Sequence, residues 1–278
     1  MLPRGGRRCS VAATTSTRSR IVVISEQTVS ADYQPAPNLL AGRVILVTGA
    51  TGGIGHAVSR RLAAAGATVV LLGREIKRLE AVYDELTEIG PEPAIYPMNL
   101  EGATFDHYPE LADTIGEQLG RLDGILHAAA VLGRPSPVEL YDVEAWYRTL
   151  QVNLNAPFML TRACLPLLRK SPDASLVFTS DTIGRDGGPY WGAYGVSKAG
   201  LEGLMRILAA ELADTTPVRV NSIDPGPVAT QFRRDAYPSE EAGLHPLPEH
   251  VAGAFLWLLG PESAEVHGQA LTVAPSRK

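Results

Sequence analysis

The stretch Val44-Ile45-Leu46-Val47-Thr48-Gly49-Ala50-Thr51-Gly52-Gly53-Ile54-Gly55 decides the fold. An apolar, strand-forming run feeds a glycine-rich turn, and an Ala/Leu/Arg-rich segment of helical periodicity, His56 to Ala65, follows at once. Gly49 permits a tight reversal, Gly53 removes a side chain where a pyrophosphate must approach, and Gly55 lets the helix pack close to the strand. N–H groups at the helix start offer partial positive charge to phosphate. Glycine-rich turns also serve plain reversals, so nucleotide binding rests on what lies downstream, at Tyr194 and Lys198.

Outward from this turn, strand-length apolar runs alternate with helix-length amphipathic ones. Strands are expected at Ala67 to Leu72, Pro93 to Met98, Leu122 to Ala128, Ser175 to Thr179, Val218 to Ile223 and Leu271 to Val273. Helices are expected at Glu75 to Ile89, Thr104 to Leu119, Tyr190 to Ala213 and Pro248 to Leu259. A long helical region, Val143 to Leu168, should bend near Asn153 to Pro157, because Pro157 lacks the N–H of an unbroken helix. Such alternation, with no second zone of composition, implies an α/β fold: one doubly wound parallel sheet with helices on both faces. Ligands of such sheets sit beyond the carboxyl ends of the strands.

Bulk properties bound the function. A chain of 278 residues, 45% hydrophobic and 20% charged, suits a single large domain with a sizeable core. A net charge of −5 argues against an extended nucleic-acid surface. No apolar run approaches the roughly 20 residues of a membrane helix. Cys9 and Cys164 make neither a disulfide framework nor a metal cluster, as befits a reducing cytoplasm. Residues 1–29 stand apart: Arg4, Arg7, Arg8, Arg18 and Arg20 face the single acid Glu26. This segment reads as a disordered or mis-started extension, with an organelle transit peptide as the alternative. Residues 30–278 are then expected to form one domain, catalytic if the clusters described next carry chemistry.

Two further clusters carry chemistry. Arg74 follows the second strand, where dinucleotide folds meet the adenosine ribose; an arginine there receives a 2′-phosphate, so NADP(H) is favoured over NAD(H). Asn99, after the third strand, can bond an adenine edge. Tyr194 and Lys198 stand four apart on one helix face. A phenol needs a cation nearby to exchange protons at neutral pH, and a lysine one turn away supplies it.

Together, Thr48-Gly49-x-x-x-Gly53-x-Gly55, Asn153, Tyr194-x-x-x-Lys198 and Pro225-Gly226-Pro227-Val228-x-Thr230 resemble the short-chain dehydrogenase/reductase family over Leu39 to Ala274. Tyr33-Gln34-Pro35, His127-Ala128-Ala129 and Trp191-Gly192-Ala193-Tyr194 look like its bacterial YciK-type branch. The resemblance implies a Rossmann-type sheet of about seven strands in the order 3-2-1-4-5-6-7. It makes Tyr194 the catalytic acid/base, Lys198 its pKa-lowering partner and ribose ligand, and Asn153 the holder of a relay water. Gly49, Thr51, Gly53 and Ile54 would cradle the cofactor, with Arg74 and Asn99 on its adenosine side and Leu100 and Ala128 also in contact with it. Pro225, Gly226, Val228 and Thr230 would wrap the nicotinamide. Members commonly pair into homodimers or homotetramers.

The chain also departs from the family's pattern. Asp181 occupies the place of a serine thirteen residues before the tyrosine, where a charged carboxylate would repel a developing alkoxide. Ser180 is adjacent but faces the other way along a strand, and carbonyl reduction would be slowed unless Asp181 is protonated or Thr182 or Ser180 takes over. His127-Ala128-Ala129-Ala130 replaces Asn-Asn-Ala-Gly, deleting an amide brace, and His127 reads as a packed strand-end residue. Asn99 stands where an acid is frequent. Two functions stay open: an NADP(H)-dependent oxidoreductase acting on a small-molecule carbonyl or secondary alcohol, and a catalytically weak NADP(H)-binding sensor or scaffold. A methyltransferase is disfavoured by Tyr194, Lys198 and the Pro225 segment together. The loop Ala229 to Pro248 covers the expected pocket, with Phe232, Tyr237 and Leu244 as apolar candidates and Arg233 and Arg234 as anion contacts. Tyr190 and Trp191 beside Tyr194 outline an aromatic wall, and no substrate follows from these residues alone.

Overall fold

The computed structural model describes residues 27–274. Eight strands form one sheet: β1 (Gln27–Ser30), β2 (Val44–Thr48), β3 (Thr68–Gly73), β4 (Ala94–Pro97), β5 (Gly124–His127), β6 (Ala174–Thr179), β7 (Val218–Asp224) and β8 (Ala270–Ala274). Their order is β1-β8-β7-β6-β5-β2-β3-β4, and every pairing is parallel. The helices are α1 (Gly53–Ala64), α2 (Ile76–Thr87), α3 (His107–Leu119), α4 (Val143–Leu150), α5 (Ala156–Leu168), α6 (Thr182–Asp186), α7 (Gly192–Leu212), α8 (Gln231–Ala236) and α9 (Pro248–Leu259).

From β2 onward the order is the expected 3-2-1-4-5-6-7; the correction is an eighth strand, β1, on the β8 edge. Gln27-Thr28-Val29-Ser30 carries one large apolar side chain, too little for a period-2 signal. Tertiary contact holds it instead. A Cβ on Gly253 of α9 would lie 2.7 Å from the Tyr33 carbonyl, so glycine there lets the incoming chain run against the helix. The expected boundary after residue 29 falls inside this strand, and the Arg- and Ser-rich segment before it lies outside the described residues.

Alternation along the strands builds two cores. Ile45, Val47, Val69 and Leu71 face α1, α2 and α9, whereas Val44, Leu46, Val70 and Leu72 face α3, α5 and α7. Both faces of β2 are therefore buried, which is why it reads as a continuous apolar run.

Within the region where the bend was expected, a π-helical turn, Gln151–Asn155, joins α4 to α5 and directly precedes Pro157, which lacks the N–H that a regular helix would use there. The short helices α6 and α8 were not anticipated, being less than two turns long.

At the amino ends of the strands, opposite the cleft described below, Asp123 acts as a staple. It accepts from Val44 N at 2.9 Å, from Ser171 Oγ at 2.6 Å and from both Arg121 nitrogens at 2.7 and 2.8 Å. Burial alone would raise its pKa, but the bonds from Arg121, Ser171 and Val44 outweigh that and hold it below 3.8. A depressed carboxylate contributes stability above its unfolded pKa that is lost as pH falls through the folded one. Asp123→Asn should therefore destabilise by about 1–3 kcal/mol at neutral pH and flatten the loss of stability below about pH 4, as measured by urea unfolding across that range.

Candidate active site

A sheet of parallel strands turns all its carboxyl ends toward one edge, and there a cleft of about 430 Å³ opens. Gly49, Thr51, Gly53 and Ile54 line one part of it and Tyr194 and Lys198 another. Two clusters some 145 residues apart in sequence thus share one cavity.

The glycines meet different constraints. Gly49 has φ +67°, and a Cβ there would lie 2.9 Å from the Ala129 backbone. A Cβ on Gly53 would come 2.6 Å from Thr230 Cγ2, so the start of α1 abuts the segment after β7. Gly55 closes on the turn itself, since its Cβ would overlap the Gly49 carbonyl. The brace that the missing asparagine would supply comes instead from Thr48, whose hydroxyl accepts from Ala128 N and Ala129 N, each at 3.1 Å.

Arg74 lines the cleft at the end of β3, as do Asn99, Leu100 and Ala128. Sequence reasoning missed Arg78, one helical turn beyond Arg74 and on the same wall. Both arginines approach Glu75 only loosely, at 3.6 and 3.7 Å, and both are more than half exposed. Pro225, Gly226, Val228 and Thr230 form the facing wall.

Asp181 enters the pocket. The Tyr194 hydroxyl donates to its Oδ2 at 2.8 Å, while Oδ1 accepts from Ile183 N at 2.9 Å and caps α6. Its neighbours are committed elsewhere: Ser180 donates to Glu202 at 2.5 Å, and Thr182 to Asp224 at 2.6 Å. Burial first, then Asp181, pushes the Tyr194 phenol well above its ordinary value. Lys198, expected to lower it, is not among the groups that set this shift. Its ammonium, buried and donating to the Thr179 carbonyl at 2.7 Å, lies 5.6 Å from the Tyr194 ring centre. Burial lowers the Lys198 pKa to about 8 against the pull of Asp181, Asp224 and Glu202.

Sequence reasoning also passed over Glu202, which is buried on the Tyr194/Lys198 face of α7. Its carboxylate accepts from Ser180 on the β6 end, from Ser222 on β7 at 2.9 Å and from Arg185 on α6 at 3.1 Å. The signal was present: Tyr194, Lys198 and Glu202 repeat every four residues on one face of α7. An acid on a buried stripe demands partners.

Other expected residues take different places. Asn153 is not on the cleft wall; its amide accepts from Val131 N at 2.8 Å and donates to Val131 O and Ser197 Oγ, bracing the chain after β5 against α7. His127 is packed, stacked 4.9 Å from Phe178, and burial drops its pKa to about 3. Tyr190 and Leu244 are exposed and do not line the cleft. Trp191, Tyr194, Phe232 and Tyr237 form the aromatic wall, with neighbouring ring centres 5.3 to 5.7 Å apart. Arg233 also lines the cleft, but it lies over Tyr237 and is paired with Glu240; Arg234 bonds Gln231 instead.

A glycine turn opening a helix and a Tyr/Lys pair in one cleft are the marks of short chain dehydrogenases. The chain belongs to that family, whose model matches residues 43–241. It is 42% identical to the uncharacterized oxidoreductase YciK of Escherichia coli K12 over 247 residues, covering 88% of this chain and 97% of that protein. A short chain dehydrogenase structure from Pseudomonas syringae superposes with a TM-score of 0.85 at 51% identity, covering 87% of this chain and 98% of that one. One from Escherichia coli CFT073, complexed with NADPH, gives 0.83 at 41% identity, covering 86% and 99%. Among the described residues, no helix is long and apolar enough to cross a membrane.

Because Gly49 combines positive φ with contact to Ala129, Gly49→Ala should cost roughly 1–3 kcal/mol of folding stability, read as a lower urea midpoint at unchanged m.

Proposed function

We propose that the protein is an NADP(H)-dependent oxidoreductase that transfers a hydride between the nicotinamide and a carbonyl or secondary-alcohol carbon, with Tyr194 as acid/base. The observation that carries this reading is the single cleft shared by the glycine turn and the Tyr194/Lys198 pair. The turn suits a dinucleotide, since its glycines pack too closely for side chains and the first residues of α1 line the cleft, where a helix start favours phosphate. Arg74 and Arg78 suit a 2′-phosphate, and the NADPH complex of the Escherichia coli CFT073 relative supports that preference. When bound, NADPH supplies the hydride.

The chain's own residues manage the proton and the geometry. Tyr194 gives its proton to the reduced oxygen or takes one from an alcohol. Lys198, fixed by the Thr179 carbonyl, steadies the phenolate left behind. Asn153 acts from behind the wall as a positioning residue, holding Val131 and α7 in register. The short apolar wall of Trp191, Phe232 and Tyr237 keeps water from the reacting carbon. A second reading, a weakly catalytic sensor or scaffold, is favoured by the Asp181 carboxylate on the phenol: proton transfer to an alkoxide would leave two anions 2.8 Å apart.

Tyr194→Phe should lower hydride transfer by roughly 10²–10⁴-fold while leaving NADPH affinity within a few-fold, measured by NADPH absorbance and by fluorescence titration. NADPH binding with no turnover by the native protein on a panel of ketones, aldehydes and imines would support the sensor reading instead.

Arg74→Ala should weaken NADPH about 10-fold or more and NADH little, in the same titration.

The Lys198 ammonium is present below its pKa of about 8 and absent above it, so kcat/KM for reduction should fall as pH rises through that value. Lys198→Arg, always charged, should lose this descending limb when the profile is recorded between roughly pH 6 and 10.

A further inference from the structure

Resting on the oxidoreductase reading, we infer that the site is built for a carbon–nitrogen double bond in its protonated, iminium form rather than for a carbonyl. A carbonyl oxygen needs hydrogen-bond donors where negative charge develops. This pocket offers the opposite. The Tyr194 proton is directed at Asp181 Oδ2, 2.8 Å away, so the phenol oxygen shows the cleft its lone pairs and Asp181 stands beside it as a second acceptor. Ser180 and Thr182, the hydroxyls on either side that could have donated, are spent on Glu202 and Asp224.

The wider surroundings have the same polarity. Asp181, Asp224 and Glu202 face the two nearby cations, Lys198 and Arg185, while Arg233 is matched by Glu240. Lys198, on the cleft wall, donates to the Thr179 carbonyl at 2.7 Å. Trp191 and Phe232 line the cleft beside Tyr194, and aromatic rings attract an alkyl-substituted ammonium and exclude water, while Tyr237 already carries the Arg233 guanidinium over its ring.

The chemistry balances without an extra proton donor. The iminium N–H donates to Asp181 or to the Tyr194 oxygen, and its carbon receives the hydride that the reduced nicotinamide supplies. The carbon–nitrogen π pair becomes the nitrogen lone pair, giving a neutral secondary amine that takes a proton from solvent as it leaves. No alkoxide forms, so the carboxylate that hinders carbonyl reduction here favours the reactive, protonated state of the substrate.

The test uses the full chain with NADPH and two matched probes, the cyclic imine methylpyrroline and the ring ketone methylcyclopentanone. The native protein should reduce the imine at least about 10-fold more efficiently than the ketone, and Asp181→Ser should reverse that order. Serine also caps α6, so this variant keeps the local fold, and unchanged NADPH affinity verifies it. Independently of turnover, the amine product methylpyrrolidine should bind the NADP+ form, with quenching of tryptophan fluorescence, about 10-fold more weakly in Asp181→Ser. A native preference for the ketone, or amine affinity and imine selectivity unmoved by Asp181→Ser, would overturn the inference and leave the oxidoreductase reading standing. Failure of both probes to accept hydride from bound NADPH would bring down the two together.

Discussion

Every strand of this sheet runs the same way, and the rest of the molecule follows from that constraint. Parallel pairing requires a long crossover between neighbours, and the crossovers place helices on both faces. It also gathers the chain's loops at one edge. The turn after β2, the arginines after β3, the alanines after β5, Asp181 after β6 and the Pro225 segment after β7 therefore border a single cleft. At the opposite edge Asp123, Asp173 and their arginines tie strand starts together. Stability and chemistry occupy opposite ends of the same strands.

Beneath the cleft, Glu202 decides how its loops sit. It binds serines from the ends of β6 and along β7 and the arginine of α6, three segments far apart in sequence. A carboxylate this deep must be fully partnered: losing a serine leaves a buried acceptor unsatisfied, and losing Arg185 leaves the charge without its cation. By consuming the Ser180 hydroxyl, it leaves Asp181 as the side chain that meets Tyr194. The unusual polarity of the pocket is thus tied to a buried network beneath it, not to one exchanged residue.

Departures from the family pattern are answered elsewhere in the structure. Thr48 holds the Ala128 and Ala129 amides that an asparagine would otherwise help to fix, and Asn153 anchors the next residues through Val131. His127 finds a stacking partner in Phe178 and a hydrogen bond at Thr161. Asp181 differs from these exchanges in that its carboxylate meets the Tyr194 hydroxyl within the cleft.

Local pattern was enough for most of the fold. Strand and helix periodicities located β2 to β8 and the long helices, because both faces of a parallel sheet are buried and mark the chain with apolar runs. β1 was illegible, since four residues with one large apolar side chain owe their form to β8 and α9. Of the site, residue type and spacing were sufficient for the glycine turn, Arg74, Tyr194 and Lys198: a tight turn or an i,i+4 pair is a short-range property. Where Asp181 points, which hydroxyls are already taken, that Asn153 is bonded to Val131 and Ser197 and that Lys198 leans on Thr179 were settled only by tertiary structure. Hydrogen bonds between segments tens of residues apart leave no periodicity, and their direction depends on which strand ends the packed sheet brings together.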